Sequence, residues 1–148
     1  MLTRHTDHFF NREAGRQAEL AKLQDELIDD VFRGVTKDAD YLIERAIELN
    51  ASDKQREFMR GIQDFFQQSY EEAIMHFDNL LEIDPEHIPA KSLRAVAVLN
   101  QGDEWGYYLD IKQIKPNDVR TFEDNFFLGF ANTLDDSVLR NFSISSPV

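Results

Sequence analysis

His5 and His8 lie three residues apart with Asp7 between them, a spacing that puts both imidazoles on one helix face, where they could share a metal ion. Two nitrogen ligands fill only half of a tetrahedral site, so chance spacing is the simpler reading and no metal site is assigned. The acidic pairs Asp29-Asp30, Glu71-Glu72 and Asp135-Asp136 could work as acid and base only if the fold brought such pairs together. As solvated faces and helix N-termini they need no such accident. His76 and His87 stand in no ligand pattern, and His87, close to Pro85-Glu86, reads as part of a solvated turn. Trp105, Tyr107 and Tyr108 form the densest aromatic cluster. Stacking on single-stranded nucleic acid also needs cations, and only Lys112 and Lys115 are near. The cluster therefore reads as the core of a shortened helix, with a partner-binding edge as the alternative. There is no Gly-rich phosphate loop, nucleophile elbow or HExxH pattern. Cysteine is absent, which excludes disulfides, thiolate nucleophiles and Cys-ligated zinc. The expectation is a protein that is not an enzyme and carries no cofactor.

The chain has 148 residues, the size of one domain. Hydrophobic residues make up 42%, with 12 Phe supplying much of the apolar volume, enough for a real core. A net charge of −12, with most of the acidic excess before residue 88, argues against nucleic acid or an anionic membrane as partner. No apolar run approaches the length of a membrane span, and MLTRHTDHFFNREAG lacks a secretory apolar region. A cytoplasmic location is expected.

The elements that must position any site are helices. Leu20, Leu23, Leu27, Ile28, Val31 and Phe32 follow helical spacing up to Gly34, and Ala39, Leu42, Ile43, Ala46 and Ile47 repeat it up to Asn50. Ser52 with Gln55 and Ser69 with Glu72 match the capping box that opens a helix. They predict helices over about 53–67 and 70–83, the second ended by Asp84-Pro85. Further helices are predicted over 90–100, 104–114 and 121–134, with a short eighth from Asp135 or Asp136 and a frayed tail over 143–148.

Laid on itself at an offset of 34, the chain matches Ala39, Ile43, Leu49 and Ala51 with Ala73, Phe77, Ile83 and Pro85. Ala46-Ile47 falls on Leu80-Leu81 and Glu48 on Glu82; Gly61, Ala95 and Gly129 form a column of small residues where helices could approach closely. The segment SYEEAIMHFDNLLEIDPEH, Ser69 to His87, resembles the second helix of a tetratricopeptide repeat: Tyr70, then Ala73 with the aromatic Phe77, then Pro85. DADYLIERAIELNASD from Asp38 is similar, with Ala51 in place of the proline, and Leu128-Gly129 resembles the leucine–glycine pair of a first helix. The likeness covers residues 20–142 as three to four degenerate repeats and is strongest over 38–87. It departs in two places. After Lys54 the apolar positions fall one residue late, which a one-residue shortening at Gln67-Gln68-Ser69 would repair. Pro85 to Pro116 is shorter than a full repeat, and Trp105-Gly106-Tyr107-Tyr108 replaces an alanine-centred contact, so a short or tilted second helix is expected there.

The resemblance implies an all-α solenoid of antiparallel hairpins, a right-handed superhelix with repeats over about 20–53, 54–87, 88–120 and 121–142, preceded by a helical extension over 1–19. It implies a protein or peptide partner held on the concave wall by Gln24, Gln55, Phe58, Ile62, Ser92, Val96, Phe126 and Phe130. The competing reading for each aromatic is ordinary inter-repeat core. Where relatives that hold acidic chaperone tails carry a basic clamp, this wall has Phe58, Ile62, Ser92 and Val96, so an apolar or basic segment suits it better. The structural alternative is that residues 1–19 or Phe142-Ser143-Ile144 cap the array or drive a homodimer, with the groove filled by the protein itself.

Overall fold

The computed structural model describes residues 2–133, with side chains from residue 10 onward. Over these residues the chain is all-α, with seven helices: α1 Leu2–Phe32, α2 Ala39–Glu48, α3 Asp53–Phe66, α4 Tyr70–Ile83, α5 Ile88–Asn100, α6 Glu104–Lys112 and α7 Phe122–Asn132. A 3-10 turn, Pro116–Asp118, precedes α7. The expected eighth helix, the Phe142–Ile144 cap and the 143–148 tail lie outside the described residues. Among the described residues no helix is long and apolar enough to cross a membrane.

Most boundaries follow from local chemistry. The Ser52–Gln55 capping box forms, with the Gln55 amide donating to Ser52 Oγ at 3.1 Å and the Ser52 amide to Gln55 Oε1 at 2.8 Å. The one expected at Ser69 does not form: its side chain makes no capping bond. Its backbone is instead used to close the preceding helix. Gln68 sits in the left-handed region (φ 65°), and the Ser69 amide reaches back to Asp64 O at 2.8 Å. That pattern is a Schellman closure. It recurs with Gly34 (φ 80°) ending α1 and Gly102 (φ 94°) ending α5. Gly34, Gln68 and Gly102 are spaced by the same 34 residues as the sequence offset. The turn into α4 is short: its N-cap Ser69 directly follows Gln68, whereas the N-cap Asp38 of α2 lies four residues beyond Gly34. The N-caps Ser52 and His87 are one residue further apart than the closures.

No break separates residues 2–19 from the remainder of α1, because nothing between Leu2 and Phe32 stops a helix. The extension is tied to the first hairpin by Arg16, whose guanidinium donates to the carbonyls of Leu49 (2.9 Å) and Asn50 (3.0 Å), capping the end of α2. α6 is short, as the replaced alanine contact implied, and Tyr107 takes its core position, fully buried with its hydroxyl donating to Ala131 O at 2.5 Å.

Contacts run mainly between sequence neighbours: α3 with α4, α4 with α5, α5 with α6, and α1 with α2. Arg94 of α5 joins both flanking helices, bonding Asp78 of α4 at 2.5 Å and Asp110 of α6 at 3.1 Å. α7 departs from this order. It packs along α5, and its rings reach across to α1 and α3. Phe32 is the meeting point, with ring centroids 4.8 Å from Phe66, 5.0 Å from Phe126 and 5.3 Å from Phe130. The helices α1, α3, α5 and α7 thus enclose one aromatic core.

The small-residue column divides. A Cβ built on Gly61 would stand 2.5–2.9 Å from three ring carbons of the fully buried Phe77, whereas one on Gly129 meets nothing within 4 Å. Close approach is therefore required at Gly61 and not at Gly129. Gly61→Ala gains about 1 kcal/mol of helix propensity but overpacks the α3–α4 contact by roughly 2–3 kcal/mol. A net loss of about 1–2 kcal/mol is expected as a lower urea midpoint at unchanged slope. The Gly61→Ala/Phe77→Leu double variant should recover part of it.

Candidate functional site

Helix α7 decides the fate of the expected wall. Phe58 and Val96 are 2% exposed and Ile62 and Ser92 fully buried, so these four are inter-helix core and not an open binding surface. The reason is α7: Phe127 lies with its ring 5.9 Å from Phe58, covering the face that an extended array would leave bare. Ser92 Oγ has no hydrogen-bond partner among the described residues. Phe130 is half-buried against Phe32, Phe65 and Phe66. The remaining three candidates, Gln24, Gln55 and Phe126, lie at two surface depressions beside α7.

The first depression is a groove of about 470 Å³ between α1 and α7. Helical spacing builds both of its sides. Asp25, Ile28, Asp29 and Phe32 form one stripe of α1, and Phe122, Glu123, Phe126 and Phe127 one stripe of α7. The floor is apolar and the rim acidic. Phe122 is 85% exposed and Phe126 39%, their rings stacked with centroids 6.3 Å apart. Of the exposed large apolar side chains among the described residues, which include Phe10, Tyr41 and Trp105, Phe122 is the most open, and it stands at the edge of an apolar groove. Periodicity alone gave no reason to single out Phe122, since it sits at the first position of its helix.

The second depression, about 310 Å³, is polar and adjoins the first by sharing Thr121 and Glu123. It draws Gln24 from α1, Lys54, Gln55 and Phe58 from α3, and His87 from the start of α5. Gln24 Nε2 donates to Glu123 Oε1 at 3.3 Å. Burial, then the charges of Asp25 and Asp124, pushes the Glu123 carboxyl above its usual range. His87 is no solvated turn residue. Its Nδ1 accepts the Ala90 amide at 3.1 Å as the N-cap of α5, and its ring meets Phe58 edge-on at 4.9 Å. Burial lowers its pKa to about 4, so at neutral pH the ring is the neutral acceptor the cap requires.

A third cluster was invisible in the sequence order. Glu57 and Asp64, two turns apart on one face of α3, flank His76 of α4, with Nδ1 2.7 Å from Glu57 Oε2 and Nε2 3.3 Å from Asp64 Oδ2. The seven-residue spacing of the carboxylates was the available signal, but only the α3–α4 pairing supplies the histidine between them. Nδ1 is hydrogen-bonded to Glu57, and the ring also borders a depression of about 310 Å³ lined by Asp40, Arg60 and Gln63. His5, Asp7 and His8 fall within α1, but their side chains lie outside the described residues. Among the described residues no three His, Asp or Glu side chains are grouped to hold a metal ion. Tyr107 is core, while Trp105 is 60% exposed and Tyr108 carries Lys112 Nζ 4.7 Å above its ring. Comparison with protein-family models, with characterised proteins and with solved structures gives no match to this chain.

Proposed function

We propose that the chain is a non-catalytic protein–protein interaction module, an adaptor or scaffold of the cytoplasm built on degenerate tetratricopeptide-like hairpins. Support for the repeat array comes from the Gly34, Gln68 and Gly102 closures at 34-residue spacing and from the pairing of neighbours in sequence from α1 to α6. The partner surface is not the inner wall, which α7 fills, but the α1–α7 groove. One observation carries this reading: Phe122, 85% exposed, standing at the lip of a groove floored by Ile28, Phe32 and Phe126. The histidines fit a structural role, since His76 is enclosed by two carboxylates and His87 caps a helix.

The test is capture of partners from source lysate with wild type and Phe122→Ser, after circular dichroism has established that both are folded. A partner retained by wild type and reduced about tenfold by the variant supports the groove; partners captured equally by both would refute it. A second reading is self-association, for which the exposed rings of Phe122 and Phe126 offer an apolar face. Mass measured against concentration separates the two, because a monomer at every concentration leaves the self-association reading without support.

A further inference from the structure

An interaction module leaves the chemistry of its partner open, and the groove narrows it. Its floor offers Ile28, Phe32 and Phe126 with Phe122 at the lip, and its rim carries Asp25, Asp29 and Glu123. One rim charge is answered within the chain: Asp29 pairs with Arg33 at 3.1 Å, both exposed. Glu123 receives the neutral amide of Gln24, and its carboxyl is raised by burial and by the neighbouring Asp25 and Asp124. Carboxylates that crowd one another at the edge of an apolar trough gain most from a cation brought in by the occupant. Glu123 also borders the polar cleft beside His87, so a cation seated there would lie next to the apolar floor.

Resting on the interaction reading, we propose that the α1–α7 groove receives an amphipathic partner segment, apolar side chains on Ile28, Phe122 and Phe126 and a lysine or arginine against Asp25 and Glu123. The groove is lined by these two stripes and by Thr121. That arrangement accepts a helix or an extended segment with anchors at regular spacing. A purely apolar occupant would leave the carboxylates desolvated and unpaired, and an acidic one would be repelled.

Three labelled peptides of about 14 residues test this, each with leucine at helical spacing and the remaining positions lysine, glutamine or glutamate. Fluorescence anisotropy is read at low and at physiological salt. The Leu/Lys peptide is expected to bind about tenfold more tightly than Leu/Gln, and Leu/Glu not measurably. Asp25→Asn/Glu123→Gln should erase the lysine preference, bringing the Leu/Lys and Leu/Gln affinities within about twofold of each other. Glu71→Gln/Glu72→Gln on the exposed start of α4 removes the same net charge and should change either affinity less than about twofold. Phe122→Ser should weaken Leu/Lys and Leu/Gln alike. If Leu/Lys binds no better than Leu/Gln, or if the α4 control weakens it as much as the groove variant, the cation assignment is overturned. Binding of Leu/Gln that depends on Phe122 would in that case leave the interaction reading standing. Failure of every peptide to bind wild type overturns the inference, and the lysate capture then decides the broader reading by itself.

Discussion

Phe127→Ala is expected to cost about 3–5 kcal/mol, the largest single loss in the inner layer. The side chain is fully buried, and its ring lies 5.3 Å from Phe126, 5.9 Å from Phe58 and 6.0 Å from Phe32. Truncation removes these ring contacts and opens a cavity where three helices meet, none of which can collapse without moving another. For a domain of this size each kcal/mol corresponds to roughly 3–5 °C, so the melting temperature should fall by more than about 10 °C. The measurement is urea unfolding followed by circular dichroism, with aromatic fluorescence as a second probe. Coincident transitions at a lowered midpoint are expected, because α7 is bound to the rest both through Phe127 and through the Tyr107–Ala131 bond. A variant within about 1 kcal/mol of wild type would mean that α7 does not close the inner layer, and the wall of Phe58, Ile62 and Val96 would again be available to a partner. Phe122→Ser, on the same helix but exposed, should change stability by less than about 0.5 kcal/mol. The contrast between neighbouring turns of one helix separates packing from surface.

How much of the fold was legible depended on whether the information was local. The helices of the leucine and phenylalanine stripes announced themselves, because 3.6-residue periodicity and Gly or Pro punctuation are properties of the segment alone. Ser69 shows the limit. Its capping sequence is intact, yet Gln68 takes the left-handed conformation and the Ser69 amide is spent closing α3. Two local signals competed for one backbone and the helix end won. The site residues failed for a different reason. Phe58, Ile62, Ser92 and Val96 are buried side chains of α3 and α5, and whether their face is open depends on where α7 goes. Nothing in residues 54–100 encodes that. Phe126, Phe127 and Phe130 carried the answer as an aromatic run on α7, whose packing against α1, α3 and α5 is not written in any one segment. The His76 cluster is the same lesson from the outer layer: Glu57 and Asp64 were a helical pair awaiting a partner that only the α3–α4 hairpin supplies.

The second large effect is one of pH. His87 has its folded pKa lowered from 6.5 to about 4, chiefly by burial, with Lys54 adding to the shift and Asp84 and Asp124 opposing it. The geometry gives a further reason, since Nδ1 must stay unprotonated to accept the Ala90 amide. A histidine whose folded pKa is depressed contributes no penalty above pH 6.5. Below that the unfolded chain takes up a proton that the native state refuses, and stability falls until about pH 4, where the native ring also protonates. The depth of that loss is roughly 3 kcal/mol. Raised carboxyls act in the opposite sense over the lower part of the window: Glu123, Asp64 and Asp110, all shifted up first by burial, bind protons in the native state before they do in the unfolded one. The observed acid limb is therefore a sum, and a variant is needed to isolate the histidine. His87→Asn keeps a side-chain oxygen at the N-cap and cannot titrate. It should cost about 1 kcal/mol at pH 7, where the ring's contact with Phe58 is lost. Its urea midpoint should then decline less steeply than wild type between pH 6.5 and 4, the two curves crossing within the window, because the carboxyl contributions are common to both and cancel in the difference. Parallel curves would show that the histidine does not govern this limb.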